Sequence, residues 1–167
     1  MRMRYTLLDT ELGQIGLVGS GAGLRRIVLP RPVKGTVLKC IIEGYPGAIA
    51  DSTPFGDLPQ RLKCYLEGER VSFDDELDLA DTSLFRRAVW EATRAIPYGQ
   101  TRSYGEVARR IGKPGASRAV GQALAKNPLH IVVPCHRVIG KDGDLTGFEG
   151  GLELKKSLLQ IEASSRC

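Results

Sequence analysis

Ser103-Tyr104-Gly105-Glu106-Val107-Ala108-Arg109-Arg110-Ile111-Gly112-Lys113-Pro114-Gly115-Ala116-Ser117-Arg118-Ala119-Val120-Gly121-Gln122-Ala123-Leu124 decides the fold of the second half of the chain. Ser103 stands three residues before Glu106, the spacing of a capping box, in which each side chain satisfies a backbone N–H at a helix start. Val107, Ala108 and Ile111 give that helix one apolar face. Gly112 ends it, because glycine turns into positive φ without a Cβ clash. Lys113-Pro114-Gly115 reads as a tight turn. Ala119, Val120, Ala123 and Leu124 then face inwards at helical spacing, and Asn127-Pro128 closes the second helix. Two short helices about a tight turn make a helix-turn-helix.

Upstream, Asp81-Thr82-Ser83 offers N-cap residues. Leu84, Phe85, Ala88, Val89, Ala92, Ala95 and Ile96 follow as an apolar stripe, and Pro97-Tyr98-Gly99 stops that helix. Downstream, Val132-Val133-Pro134-Cys135-His136-Arg137-Val138-Ile139 brings a cysteine to the end of an extended apolar run. Pro134 fixes its own φ and biases Val133 to extended geometry. Thiolate is a strong nucleophile and imidazole its usual proton acceptor. Adjacent side chains do not face each other on a helix or strand, so His136 reaches Cys135 through a water or a local turn. On the pair alone, a buried structural cysteine fits as well. Lys141-Asp142-Gly143-Asp144 is a turn, and a last helix carries Leu154, Leu158 and Ile161 as core positions.

The first half reads differently. Residues 4–9, 13–18 and 24–29 alternate or run apolar as three strands joined by glycine-rich turns, an antiparallel meander. Val37–Ile42 is short enough to be helix or strand. Residues 44–56 read as loop, 58–66 as a helix ending at Gly68, and the acidic stretch 71–81 as a strand edge followed by a solvated linker. The expected fold is α+β: a small N-terminal α/β domain with an antiparallel sheet over residues 1–81, then an all-α, winged-helix-like domain with a helix-turn-helix over residues 82–167.

Charge divides the chain the same way. The 167 residues carry a net charge of +5, but residues 1–81 hold 10 Lys and Arg against 12 Asp and Glu, while residues 82–167 hold 14 against 7. A polyanion would feel only the second half. No apolar run approaches the roughly 20 residues of a membrane span. The start lacks the apolar centre of a secretory signal, so a cytoplasmic setting is expected. Cys40, Cys64, Cys135 and Cys167 form no Cys-x-x-Cys pair, and His130 and His136 are the only histidines. No metal site is expected; a Cys40–Cys64 disulfide stays open.

Pro134-Cys135-His136-Arg137-Val138 closely resembles the signature of the O6-alkylguanine-DNA alkyltransferases, suicide DNA-repair proteins. Ser103-Tyr104, Ser117-Arg118-Ala119-Val120-Gly121, Asn127-Pro128, Gly150-Gly151-Leu152 and Leu158-Leu159-Gln160-Ile161-Glu162 extend the resemblance in matching order through the second half. It implies that Cys135 accepts the alkyl group, that Glu162 orients His136 as base, and that Tyr104 supports the departing purine. It implies a helix in the minor groove of double-stranded DNA containing O6-alkylguanine, with Arg118 filling the place of the flipped base. Small residues on that helix permit a close approach to a narrow groove. Ser103, Ser117, Ala119 and Gly121 are the other DNA-binding candidates. Asn127 is the expected hinge, and Val138, Glu149 and Lys155 belong to the substrate pocket. Glu149 departs from the small or polar residue usual in the family, where a backbone N–H serves the substrate oxygen. The resemblance implies no cofactor and a monomer. Three other readings make distinct predictions. A non-repairing relative would lack the cysteine. A helix-turn-helix regulator would give no covalent product. A cysteine hydrolase would turn over and leaves the basic half unexplained.

Overall fold

The protein is described from a computed structural model that covers residues 2–33, 35–148 and 150–164. The chain folds as two units, the first running to Leu79 and the second from Ala80 to Ser164. The architecture is α+β.

In the first unit, β1 (Arg4–Thr10) and β2 (Gly13–Ser20) pair antiparallel, with Tyr5 opposite Val18 and Leu7 opposite Gly16. β3 (Gly23–Val28) adds antiparallel to β2, with a bulge at Val18/Gly19. The stretch left open between helix and strand is α1 (Thr36–Gly44), which buries Val37 and Ile41. It carries the chain back to β4 (Ile49–Ala50), which lies parallel to β1 and makes the order β3-β2-β1-β4. The sheet is therefore mixed rather than purely antiparallel. Two residues amid Gly, Pro and Ala leave no periodicity to read, and a parallel neighbour is reached only by a crossover such as α1. α1 sits on β2 at Gly16, where a Cβ would come within 2.6 Å of Ile41 Cδ1 and 2.9 Å of Val37 Cγ1. Glycine is thus the residue that admits the helix.

α2 (Leu58–Leu66) buries Leu58, Leu62, Tyr65 and Leu66, and Gly68 follows at φ 98°. The acidic stretch after it is not a solvated linker. The Arg61 guanidinium donates to both oxygens of Asp75, at 2.6 and 3.0 Å, and to Ser72 O at 3.2 Å. Ser20 Oγ donates to Asp78 at 2.7 Å, and Leu77 bridges Leu24. Asp75 and Asp78 each answer a donor on a distant element, which sequence spacing does not reveal. Cys40 and Cys64 are free thiols, so no disulfide joins them.

In the second unit, α3 (Leu84–Arg94) starts at Ser83, whose side chain accepts from the Arg86 N–H at 3.3 Å. Its buried face is Val89, Trp90 and Thr93, rotated from the stripe read in the sequence: Leu84 is 84% exposed and Ala95 is exposed. Two polar atoms explain the rotation. Thr93 Oγ1 donates to Val89 O at 2.7 Å, and the Trp90 indole donates to Ala123 O at 2.9 Å. Then come β5 (Arg102–Ser103), α4 (Tyr104–Arg110), α5 (Ser117–Ala125), β6 (Val138–Ile139) and α6 (Leu152–Ala163). Both halves of the Ser103–Glu106 capping box form, at 3.1 and 3.0 Å, and Gly112 turns the chain at φ 76°. α4 and α5 are the helix-turn-helix, and Trp90 pins α3 to the second of them. The unit is not wholly helical, because β5 and β6 pair parallel, Arg102 with Val138 and Ser103 with Ile139. Among the described residues no helix is long and apolar enough to cross a membrane.

Candidate active site

The segment after α5 is tied down by one side chain. Asn127 Oδ1 accepts from the Leu129 N–H at 2.8 Å, and its Nδ2 donates to Val133 O at 3.1 Å. Two tight turns follow. Val132 N donates to His130 O at 2.9 Å across Ile131, which holds φ 74°, and Cys135 N donates to Val133 O at 2.7 Å across Pro134, at φ −79° and ψ 65°. The second is the inverse γ-turn that proline's fixed φ favours; the first puts a β-branched residue in the left-handed region. Strain of this kind persists only where surrounding contacts over-determine it, and Val133 N to Leu129 O at 2.8 Å is one of them. Cys135, His136 and Arg137 then form a single 3₁₀ turn, all three buried.

Glu162, on the last turn of α6, gathers that turn. Its Oε2 accepts from His136 Nε2 at 2.5 Å and from Arg137 NH2 at 3.1 Å; its Oε1 accepts from Arg137 Nε at 2.9 Å and from the Gly99 N–H at 3.0 Å. Arg137 also donates to Ile96 O at 2.7 Å and lies over the Tyr98 ring, 5.6 Å from its centroid. One arginine thus neutralises the carboxylate, and four donors occupy its oxygens. His136 is fully buried, and burial lowers its pKa below the ordinary 6.5 despite the Glu162 hydrogen bond that favours imidazolium. Glu162's charge is already shared with Arg137, so His136 rests as a neutral ring with Nε2–H towards the carboxylate.

A stability prediction follows. The unfolded chain takes up a proton near pH 6.5 that the folded chain refuses. The stability contributed by neutral His136 is therefore complete above pH 6.5 and is lost as the pH falls from there toward the lowered folded value. Urea unfolding followed by Trp90 fluorescence should show a midpoint that drops with acidification through this window, and His136→Asn should flatten the dependence. An unchanged slope in the variant would refute the assignment.

Lys155, expected at the substrate pocket, is 1% exposed. Its Nζ donates to Val138 O at 2.9 Å and Thr146 O at 3.1 Å, holding the loop after β6 against the cysteine turn. Burial lowers its pKa, and the Cys135 sulfur pulls it back up. The core face of α6 is Lys155, Leu158 and Glu162, with Leu154 and Ile161 only half-buried. A charged residue at a core position cannot be read as such without its acceptors.

Cys135 is 7% exposed and lines a cavity of about 610 Å³ together with Tyr104, Ser117, Arg118, Gly121 and Thr146. The Tyr104 hydroxyl is 2.6 Å from Thr146 Oγ1, and Gly121 lies under the Tyr104 ring, where a Cβ would sit 3.8 Å away. β5 paired to β6 is what sets Tyr104 beside the cysteine turn. Arg118 is exposed; Ser117 and Ala119 are half-buried; the Ser103 hydroxyl serves as the α4 cap. Glu149 and Cys167 lie outside the described residues. Among those described, no three His, Cys, Asp or Glu cluster as a metal site. Sequence reasoning assigned no functional role to Arg137, Gly99 or His130. Arg137 stood inside the quoted motif; the others carried no local signal.

A buried cysteine beside a Glu-oriented histidine, opening on a helix-turn-helix, defines a nucleophilic nucleic-acid-binding protein. The profile of the 6-O-methylguanine DNA methyltransferase DNA binding domain matches residues 84–164, and that of the same proteins' ribonuclease-like domain matches residues 3–79. The methylated-DNA–protein-cysteine methyltransferase of Mycobacterium bovis is 43% identical over 97% of this chain and 93% of its own length. That of Methanosarcina acetivorans is also 43% identical, over 97% of this chain and 99% of its own. The crystal structure of Mycobacterium tuberculosis OGT in complex with DNA superposes with a TM-score of 0.81 at 41% identity, covering 96% of this chain and 93% of that one. The chain belongs to the 6-O-methylguanine DNA methyltransferase family.

Proposed function

We propose that this protein repairs O6-alkylguanine in duplex DNA by moving the alkyl group onto its own Cys135, once per molecule. The observation that carries this is one pocket shared by a buried cysteine and a helix-turn-helix arginine, in a chain of this family. A base inside a duplex is out of reach of a buried thiol, so the target nucleotide must leave the stack. The small-residue face of α5 suits the minor groove, and the Arg118 guanidinium stacks where the base was. A pocket of about 610 Å³ accommodates a purine.

Glu162 occupies Nε2 of His136, so Nδ1 takes the thiol proton, through a water. The thiolate attacks the alkyl carbon in line; the S–C bond forms, the C–O6 bond breaks, and its electron pair stays on the purine. If Thr146 donates to Tyr104, the tyrosine O–H is turned to the purine ring nitrogen, where it offsets the developing charge. The proton held by His136 returns to the guanine. Atoms and charge balance without a metal or organic cofactor, and the thioether has no route back to thiol. Asn127 holds the cysteine segment to the helix-turn-helix, and Lys155 ties Val138 to Thr146, which lines the pocket. The protein acts as a monomer in the cytoplasm, on the chromosome.

Two successive doses of duplex carrying O6-methylguanine test single use. The first should be restored to guanine up to one equivalent and the second should remain methylated. Continued repair of the second dose would show turnover and contradict the proposal.

A further inference from the structure

His130 is the second histidine of the chain, and it is 3% exposed. The paired γ-turns fold the segment so that His130 Nδ1 stands 3.8 Å from Cys135 Sγ, within reach of an N–H···S hydrogen bond. The backbone between them includes Ile131 at φ 74°, an uncommon conformation for a β-branched residue, so the approach is built rather than incidental. The Phe148 ring meets the imidazole edge-on, with centroids 5.5 Å apart and planes at 64°, and fixes its orientation. Both rings line the same cavity as the sulfur.

We propose that His130 is a second imidazole partner of the nucleophile, donating Nδ1–H to the Cys135 thiolate that attacks the alkyl carbon; this rests on the repair reading above. A thiolate on a residue only 7% exposed needs a donor, and His136 has taken its proton rather than solvated it. The His130 proton stays on nitrogen throughout. The hydrogen bond is strongest to the thiolate and weak to the thiol or the thioether, so it forms fully only on the attacking anion and holds it in place. The other titratable or charged groups around this sulfur are His136 and Arg137 at its own turn, Glu162 and Lys155 on α6, and Tyr104 and Arg118 across the cavity. Each of them remains in the variants below.

The test follows iodoacetamide labelling of Cys135 against pH, read by peptide mass in the full chain. His130→Leu fills the space without a donor; His130→Asn keeps an N–H where Nδ1–H was. The Leu variant should label roughly tenfold more slowly at neutral pH. The Asn variant should label at close to the rate of the unaltered protein. Trp90 fluorescence verifies that both are folded. A Leu variant labelling as fast as the unaltered protein, or an Asn variant slowed as far as Leu, would overturn the proposal, since a space-filling histidine predicts the first and a disturbed loop the second. Unaltered protein mixed with O6-methylguanine duplex is run alongside. Failure there would overturn the repair reading and leave the labelling rates interpretable.

Discussion

Glu162→Gln should lower the unfolding free energy of the second unit by about 3–5 kcal/mol and cut alkyl transfer by roughly a hundredfold or more. The stability loss comes from Arg137: its guanidinium stays buried against Ile96 O and the Tyr98 ring with no counter-charge once the carboxylate is gone. The loss of transfer comes from His136, whose Nε2–H no longer meets an anion and whose imidazolium is no longer stabilised. Pairing the change with Arg137→Met separates the two effects. Removing both charges should recover part of the stability, because the uncompensated cation is gone, and none of the transfer. Urea unfolding read by Trp90 fluorescence and single-turnover transfer measure the two quantities. A Glu162→Gln protein that unfolds at the wild-type midpoint would contradict the network described above.

Arg118→Ala should slow transfer from duplex DNA by roughly tenfold to a hundredfold, the equivalent of about 1–3 kcal/mol of base stacking. Reaction with free O6-methylguanine base should not change, because Arg118 is exposed and the chemistry lies with buried groups. Arg118→Lys separates charge from shape. Lysine keeps the attraction to phosphate and the salt dependence that goes with it, but cannot stack as a planar guanidinium. The lysine variant should therefore keep the wild-type salt slope while losing much of the rate. Equal loss of rate on duplex and on free base would mean that Arg118 supports the pocket rather than the displaced base.

The helix-turn-helix was legible because its signals are local: a capping box, a terminating glycine, apolar residues at helical spacing. The same holds for β1 to β3 and for α2. β4 escaped because a two-residue strand has no period. The buried face of α3 was misread because Thr93 and Trp90 bury through hydrogen bonds that satisfy their polar atoms. Cys135, His136, Glu162, Tyr104 and Arg118 came from motif resemblance; nothing in their spacing alone joins residue 104 to 146 or 136 to 162. Lys155 and Arg137 show the limit most plainly. A buried cation looks like a surface cation until its acceptors, Val138 O and Thr146 O for one and Glu162 for the other, are brought in by distant segments. His130 needed the fold as well, since two γ-turns, one at a residue type that avoids positive φ, bring it to the sulfur.

The central claim is that Cys135 itself receives the alkyl group. Intact mass and peptide mapping after mixing the protein with duplex DNA carrying one O6-methylguanine, beside Cys135→Ala, test it directly. The account predicts a gain of one methylene per chain, located on the peptide containing Cys135, saturating at one equivalent and absent from the variant. A gain carried by Cys40, Cys64 or Cys167, or a variant that still gains mass, would contradict it.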